Sequence, residues 1–355
     1  MNALVTRHRS LHLDVLRIFA AFLVVFNHLP GYTLFAVSDG FKTFIYMFFT
    51  MVTRANVPLF LMISGALLLP RQESYGVLLK KRVLRCILVI LLSNALVYGI
   101  WHTHNFSLKD LLSGTIKGSI QGSYWYLYSY LGMLILLPFL RKLAAGFDKQ
   151  EFLYLLILRF ILASLIPILT FVARKYFSIS FSVSSSLQIV LATERTIFYP
   201  LTGYYLEHQI DIHNLSKRKL ILIALGGLGG IVISCALTYL QGISSGFTQN
   251  YVMLFDYTTA IACFVLCKYF FAHCKKAPGA TSPLGKLLAL ISSVTFGIYL
   301  FDPVLKKYLY SPINNALEPY FPTLLVSLCW CLVSMLICGA ATWLLKKIPG
   351  IKKLL

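Results

Sequence analysis

Three ionisable residues in the first apolar segment of the chain have side chains suited to acid–base chemistry and a spacing that places them on one helix face. Asp14 lies three residues before Arg17, and His28 lies eleven residues after Arg17. Because an α-helix turns about 100° per residue, all three side chains share one helix face, with Arg17 and His28 roughly 16 Å apart along the axis. A His is well suited to act as a general base near neutral pH. We therefore interpret Asp14, Arg17 and His28 as candidate catalytic residues.

The composition of the chain places this helix in a membrane. Of the 355 residues, 58% are hydrophobic and 12% are charged, and the mean hydropathy is +0.76, whereas soluble domains carry about 25% charged residues. Many separate stretches reach the roughly 20 apolar residues that span a bilayer. We predict an all-α, polytopic helical bundle of about ten transmembrane helices, forming a single domain over residues 1–355. The predicted spans are 13–32, 41–69, 83–101, 124–140, 152–173, 196–206, 220–240, 251–271, 287–305 and 323–345.

The basic residues follow the distribution that orients membrane proteins. The chain has a formal net charge of +20, and Lys and Arg are concentrated in alternate connections between the predicted spans, which is the positive-inside pattern. An even number of spans then places both termini in the cytoplasm. No connection is long enough to hold a soluble nucleic-acid-binding domain, so the positive charge does not indicate nucleic-acid binding.

Membrane surroundings strengthen the functional interpretation of the first span. An Arg, Lys or Asp at the centre of a transmembrane helix costs about 2.5–3.5 kcal/mol, so the face with Asp14, Arg17 and His28 should line an aqueous or ligand-filled cavity. The alternative is structural, with a stabilising Asp14–Arg17 pair and His28 hydrogen-bonded to a neighbouring helix.

Two other predicted spans also contain polar residues. The second span holds Arg54, Asn56 and Pro58, and we expect it to be kinked or broken there. The fifth span holds Arg159, an intramembrane cation for which the sequence offers no partner.

Five segments, in order along the chain, resemble the motifs of the membrane acyltransferase-3 family. The first is Leu-Asp-Val-Leu-Arg at 13–17 with Asn27-His28, which is similar to the Arg-x10-His signature of that family. The others are the stretch 57–65, the basic pattern Lys81-Arg82-x-x-Arg85, the aromatic motif 125–128 with Leu137-Pro138, and the stretch 296–300. The resemblance covers nearly the whole chain, and the order and spacing look similar to O-acetyltransferases of enterobacterial common antigen and related polysaccharides.

The resemblance implies a protein of the bacterial inner (plasma) membrane. Its donor would be an acyl-CoA, acetyl-CoA in the simplest case, that binds from the cytoplasmic side. Lys81, Arg82 and Arg85 would bind the phosphates of the donor, although a basic cluster at the start of a span is also typical of positive-inside anchoring. Arg17, held by Asp14, would orient the thioester or the pantetheine arm. His28 would act as a general base on an acceptor hydroxyl or would itself carry the acyl group, and the sequence leaves both roles open.

The acceptor implied by the resemblance is a surface polysaccharide or a lipid-linked glycan, and the sequence leaves peptidoglycan and a small molecule open as alternatives. Trp125 and Tyr126 are candidates to stack on a sugar, although aromatic residues near a membrane boundary also form interfacial belts. Glu194 and Arg195 at the mouth of the sixth span would pair with each other or bind the acceptor. The chain departs from the family pattern at Asp302, where many members have a His before Pro303. An acid there is a candidate to bind a sugar hydroxyl.

Two other classes of function compete with this interpretation. A transporter or flippase for a polysaccharide or lipid-linked sugar would also have about ten spans, a broken helix and intramembrane charges, but the chain shows no repeat symmetry between its halves. A structural or sensory membrane protein would not need the Asp14, Arg17 and His28 face. We predict no permanently bound cofactor, and no metal site, because His102 and His104 lack a third ligand at suitable spacing.

Overall fold

The computed structural model describes residues 9–29, 40–101, 106–181, 183–184, 187, 189–241, 253–274 and 277–355, and its regular elements over these ranges are all helical. Two ends of predicted spans, 30–32 and 251–252, lie outside the described residues. The helices are α1 Leu11–Asn27, α2 Phe41–Thr53, α3 Asn56–Leu68, α4 Tyr75–Trp101, α5 Leu108–Lys117, α6 Trp125–Gly146, α7 Lys149–Phe177, α8 Val190–Thr193, α9 Arg195–His208, α10 Lys217–Gln241, α11 Asp256–His273, α12 Pro283–Leu317, α13 Thr323–Leu345 and α14 Pro349–Lys352.

The predicted all-helical membrane architecture is confirmed, but seven helices of the described chain, rather than ten, are long and apolar enough to cross a membrane. These are α2 with α3, α4, α6 with the turn before it, α7, α10, α12 and α13. The remaining predicted spans correspond to α1, α9 and α11. The count of about ten spans and the cytoplasmic position of both termini remain predictions.

The three helices outside this set are shorter or more polar, and many of their residues are buried. With 17 residues in α1 and 14 in α9, their lengths are about 26 and 21 Å, below the roughly 30 Å of a hydrocarbon core. The helix α1 packs against α3, α11, α12 and α13. Lys268 of α11 donates hydrogen bonds of 2.7 Å to the carbonyls of Leu206 and Glu207 at the end of α9. Interior helices therefore carry the polar groups that lipid would not tolerate.

The second predicted span is broken, as its sequence indicates. Its two parts, α2 and α3, are separated at Arg54 and Ala55, and the Asn56 side chain accepts a hydrogen bond of 2.5 Å from the backbone N–H of Val57. The break places polar side chains of this segment on the wall of a central cavity, where non-helical backbone is tolerated within a membrane.

The helices α3 and α9 pack with their backbones in direct contact through two glycines. A Cβ atom added to Gly65 would lie 2.0 Å from the Pro200 carbonyl oxygen, and one added to Gly203 would lie 1.9 Å from the Met62 carbonyl oxygen. Neither neighbour is a side chain that can move aside. This close approach is typical of small residues at helix–helix interfaces in membranes, and it fixes the broken second span against the centre of the bundle.

We expect Gly65→Ala or Gly203→Ala to destabilise the protein by about 3 kcal/mol or more, because overpacking here displaces backbone. The yield of monodisperse protein after a heating series, measured by size exclusion in detergent, should fall for both variants. Gly99→Ala in α4 is the matched control, since a Cβ there meets no atom within 4 Å and Ala favours the helix. Heating curves for Gly65→Ala or Gly203→Ala that coincide with that of the Gly99→Ala protein would contradict this packing.

Candidate active site

A single cavity of about 750 Å³ brings together most of the residues that the sequence identifies. Its wall combines side chains from α1, α3, α4, α6, α9, α11 and α12 with the break between α2 and α3. The sequence-predicted site residues on this wall are Arg17, His28, Lys81, Arg82, Arg85, Trp125, Tyr126 and Arg195. Asp14, Glu194 and Asp302 lie outside the cavity lining. Residues far apart in sequence thus share one internal space.

His28 is held at the end of α1 by a buried carboxylate. Its Nδ1 lies 2.8 Å from Oδ2 of Asp302, whose other oxygen accepts a hydrogen bond of 2.6 Å from the Ser334 hydroxyl. Asp302 is fully buried, and the His28 side chain is 14% exposed. An ionised carboxylate only accepts hydrogen bonds, so it selects the tautomer with hydrogen on Nδ1 and leaves Nε2 to act as a base.

The position of Asp302 favours a role different from the sugar contact predicted from its sequence position. The carboxylate lies behind His28, between α12 and α13, and both of its oxygens already have partners. Lys306 also donates to the backbone carbonyl of His28. Asp302 thus contacts the His28 ring and the Ser334 hydroxyl.

Arg17 of α1 lies on the same cavity wall as His28, the residue that caps the end of α1, as the eleven-residue spacing predicts. Its guanidinium donates a hydrogen bond of 3.0 Å to the Ser292 hydroxyl and lies 3.6 Å from Asp14. Asp14 is buried and has its shortest contact, 2.6 Å, with Arg9. Asp14 thus joins two Arg residues, and sequence reasoning missed Arg9 and Ser292.

The basic end of the cavity is organised by a carboxylate that sequence reasoning did not single out. Glu73 accepts hydrogen bonds of 2.5 and 2.8 Å from Arg82 and one of 3.0 Å from Arg141. The bond from Arg82 is the main reason why the pKa of Glu73 is lowered to about 2, with Arg141 adding to the effect. Glu73 therefore stays ionised at neutral pH and fixes Arg82.

Lys81 and Arg85 lie on the same wall as Arg82, near the start of α4. Lys81 belongs to a π-helical turn at Leu79–Val83, and Arg85 donates a hydrogen bond of 3.1 Å to the Leu354 carbonyl. Short π-helical segments inside α-helices often accompany functional sites. The cluster keeps a net positive charge although Arg82 is paired.

Aromatic rings form a further part of the wall, next to His28. The Tyr126 ring stacks on Tyr130 with centroids 6.0 Å apart and meets the edge of Tyr299 at 5.9 Å. Tyr299 in turn lies 6.4 Å from the His28 ring. Trp125, the first residue of α6, is 44% exposed and lines the cavity. Sequence reasoning missed Tyr130, although it lies one helical turn after Tyr126.

The remaining pair predicted from the sequence is separated in the structure. Glu194 is exposed and caps α9, accepting a hydrogen bond of 3.3 Å from the backbone N–H of Thr196. Arg195 points to Asp256 instead, at 3.9 Å. Asp256 also lies 3.7 Å from Arg159, which supplies the partner that the sequence did not reveal.

The prediction of no metal site concerns residues that the structure covers only in part. His102 and His104 lie outside the described residues. Within the described ranges, no group of three or more His, Cys, Asp or Glu residues is arranged to hold a metal ion.

Comparison with known proteins gives one match. The sequence model of the acyltransferase-3 family, described as an acyltransferase domain, matches residues 11–343. No curated protein and no solved structure matches the chain. The matched region contains Arg17, His28 and Asp302, and every cavity-lining residue except Leu355.

Proposed function

This chain belongs to the acyltransferase-3 family, and we propose that it is an O-acetyltransferase of surface carbohydrate. The donor is acetyl-CoA from the cytoplasm, and the acceptor is a hydroxyl group of a polysaccharide or lipid-linked glycan at the bacterial inner membrane. The observation that carries the proposal is the shared cavity, in which a basic cluster, a His held by a carboxylate and an aromatic wall all contribute to one lining.

The charges along the cavity support this assignment of donor and acceptor ends. Lys81 and Arg85 lie in the first part of α4, which begins on the cytoplasmic side in the predicted topology. Guanidinium and ammonium groups there suit the phosphates of CoA. Trp125 begins α6 on the opposite side, where a sugar would enter. The donor and the acceptor would thus approach His28 from opposite faces of the membrane.

The geometry supports general-base catalysis at His28. Nε2 would take the proton of the acceptor hydroxyl as its oxygen attacks the thioester carbonyl. Collapse of the tetrahedral intermediate breaks the carbon–sulfur bond, and the imidazolium returns the proton to the CoA thiolate. Asp302 stabilises the imidazolium while it exists. Arg17, on the same face of α1, would orient the pantetheine arm.

The donor end is tested with two acyl donors in membranes that contain the protein, by following transfer of radiolabelled acetyl groups into the carbohydrate fraction. We expect Arg85→Gln to raise KM for acetyl-CoA about 10-fold, because a charged hydrogen bond to phosphate is lost. Acetyl-pantetheine lacks the nucleotide phosphates, so its KM should not change.

Arg218→Gln is the matched control, because Arg218 is an exposed residue at the start of α10, outside the cavity lining. It should leave both values of KM unchanged. An equal effect of Arg85→Gln on the two donors would contradict phosphate binding at this cluster. No transfer of label into carbohydrate by folded wild-type protein would contradict the proposed function itself.

A further inference from the structure

The cavity contains a buried carboxylate that the proposed mechanism does not use. Asp256, the first residue of α11, is 4% exposed and lines the cavity. Its Oδ1 atom has no hydrogen-bond partner among the residues that the structure describes. A buried carboxylate oxygen without a hydrogen bond is costly, and each such atom in a folded protein calls for an explanation.

The two guanidinium groups beside Asp256 balance its charge without saturating its oxygens. Arg159 lies 3.7 Å from Oδ1 and Arg195 lies 3.9 Å from Oδ2, both beyond hydrogen-bond distance. Arg159 donates instead to the carbonyls of Ala192 and Thr193 and to the Tyr199 hydroxyl.

Arg195 also has another contact, a hydrogen bond of 2.8 Å to the Met253 sulfur. A thioether is a weak acceptor, so this guanidinium can turn to a better one. Asp256 and Arg195 together therefore offer an acceptor of hydrogen bonds and a donor on the same cavity wall.

The charges restrict the chemistry of the ligand. Two Arg residues close to Asp256 disfavour an ammonium group there, and the carboxylate itself disfavours a second carboxylate. Neutral hydroxyl groups meet neither penalty. One carboxylate can accept from hydroxyls on two adjacent carbons, while Arg195 donates to a sugar oxygen.

The placement of these residues fits the acceptor end of the cavity. Trp125, Arg195 and Asp256 are the first residues of α6, α9 and α11, and these three helices correspond to the fourth, sixth and eighth predicted spans, which run in one direction. The exposed Trp125 ring offers a surface for the apolar face of a pyranose. On the basis of the proposed function, we propose that Asp256 and Arg195 form an acceptor subsite that binds the vicinal hydroxyls of a sugar.

The probe for this subsite is tritiated octyl β-D-glucopyranoside, with 1-octanol as the competitor that has the same chain but no diol. The full-length protein is purified in lauryldimethylamine oxide, which has no sugar headgroup, and reconstituted into phosphatidylcholine nanodiscs. We expect saturable glucoside binding that 1-octanol does not displace. Asp256→Asn should weaken this binding roughly 10- to 100-fold, because a charged hydrogen bond is lost.

A double variant separates ligand binding from charge balance. If Asp256 only neutralises Arg195, then Asp256→Asn combined with Arg195→Gln should restore glucoside binding. If Asp256 binds the sugar directly, we expect the double variant to bind the glucoside at least as weakly as Asp256→Asn. The control Asp211→Asn makes the same chemical change at an exposed loop residue outside the cavity lining, and it should bind like wild type.

Binding of CoA, measured by calorimetry on the same nanodiscs, distinguishes a failure of the proposed sugar subsite from a failure of the proposed function. Unchanged CoA binding in Asp256→Asn shows that the variant is folded. Glucoside binding that is absent from wild type, is displaced by 1-octanol or is unaffected by Asp256→Asn overturns the subsite. Absence of CoA binding by the wild-type protein contradicts the proposed donor but does not affect the result for the subsite.

Discussion

Replacing His28 with Ala is expected to lower kcat for acetyl transfer by about 10²–10⁴-fold, the range that a positioned general base contributes. The substitution removes the imidazole ring, which contacts Asp302 through Nδ1 and belongs to a residue of the cavity lining, while Lys81 and Arg85 remain. KM for acetyl-CoA should therefore change little. The measurement is initial-rate transfer of radiolabelled acetyl from acetyl-CoA into carbohydrate, with the amounts of folded protein matched.

His213→Ala is the control for this substitution, because His213 is exposed in the connection between α9 and α10 and lies outside the cavity lining. It should transfer acetyl at the wild-type rate. Equal rates for His28→Ala and wild type would rule out His28 as the base. Label that stays on wild-type protein without acceptor, and is absent from His28→Ala, would show instead that His28 carries the acyl group.

The parts of the site that lie on one helix could be predicted from the sequence. Helical periodicity places Arg17 and His28 on one face, and the cost of charge in lipid requires that face to meet a cavity, which it does. The break between α2 and α3 could also be predicted from local sequence, because Arg54, Asn56 and Pro58 lie within five positions of one another.

Contacts between helices could not be predicted by the same reasoning. The partner of His28 is 274 residues away, and no period or spacing links Asp302 to α1. Asp256 lies inside the eighth predicted span, but no spacing links it to Arg159 or Arg195. Its burial between these two residues depends on the packing of α7, α9 and α11.

The number of spans stays a prediction, because length and apolar composition alone identify seven helices of the described chain. High hydropathy is typical of helices that face lipid, whereas α1 and α9 are surrounded mainly by other helices. Gly65 and Gly203 show why α9 can be short, since its contact with α3 is backbone to backbone. Packing inside the bundle thus stabilises helices that are too short or too polar to be identified as membrane spans from apolar length alone.

Asp302→Asn is expected to lower kcat by roughly 10²-fold or more without changing KM for acetyl-CoA. An amide can turn its NH2 group toward Nδ1 of His28, which selects the tautomer with hydrogen on Nε2 and removes the base. It also leaves the imidazolium without a counter-charge in a buried site. Ser334→Ala removes only the hydrogen bond that holds the second oxygen of Asp302, so its effect on kcat should be smaller.

The combination of Asp302→Asn with His28→Ala distinguishes positioning from general support of the fold. If Asp302 acts through His28, the double variant should be no slower than His28→Ala alone, because the orienting carboxylate has no base left to orient. Independent losses that multiply would instead assign Asp302 a separate role, such as the sugar contact that its place in the sequence suggests. A rise in KM for the carbohydrate acceptor in Asp302→Asn, with kcat unchanged, would point to the same conclusion.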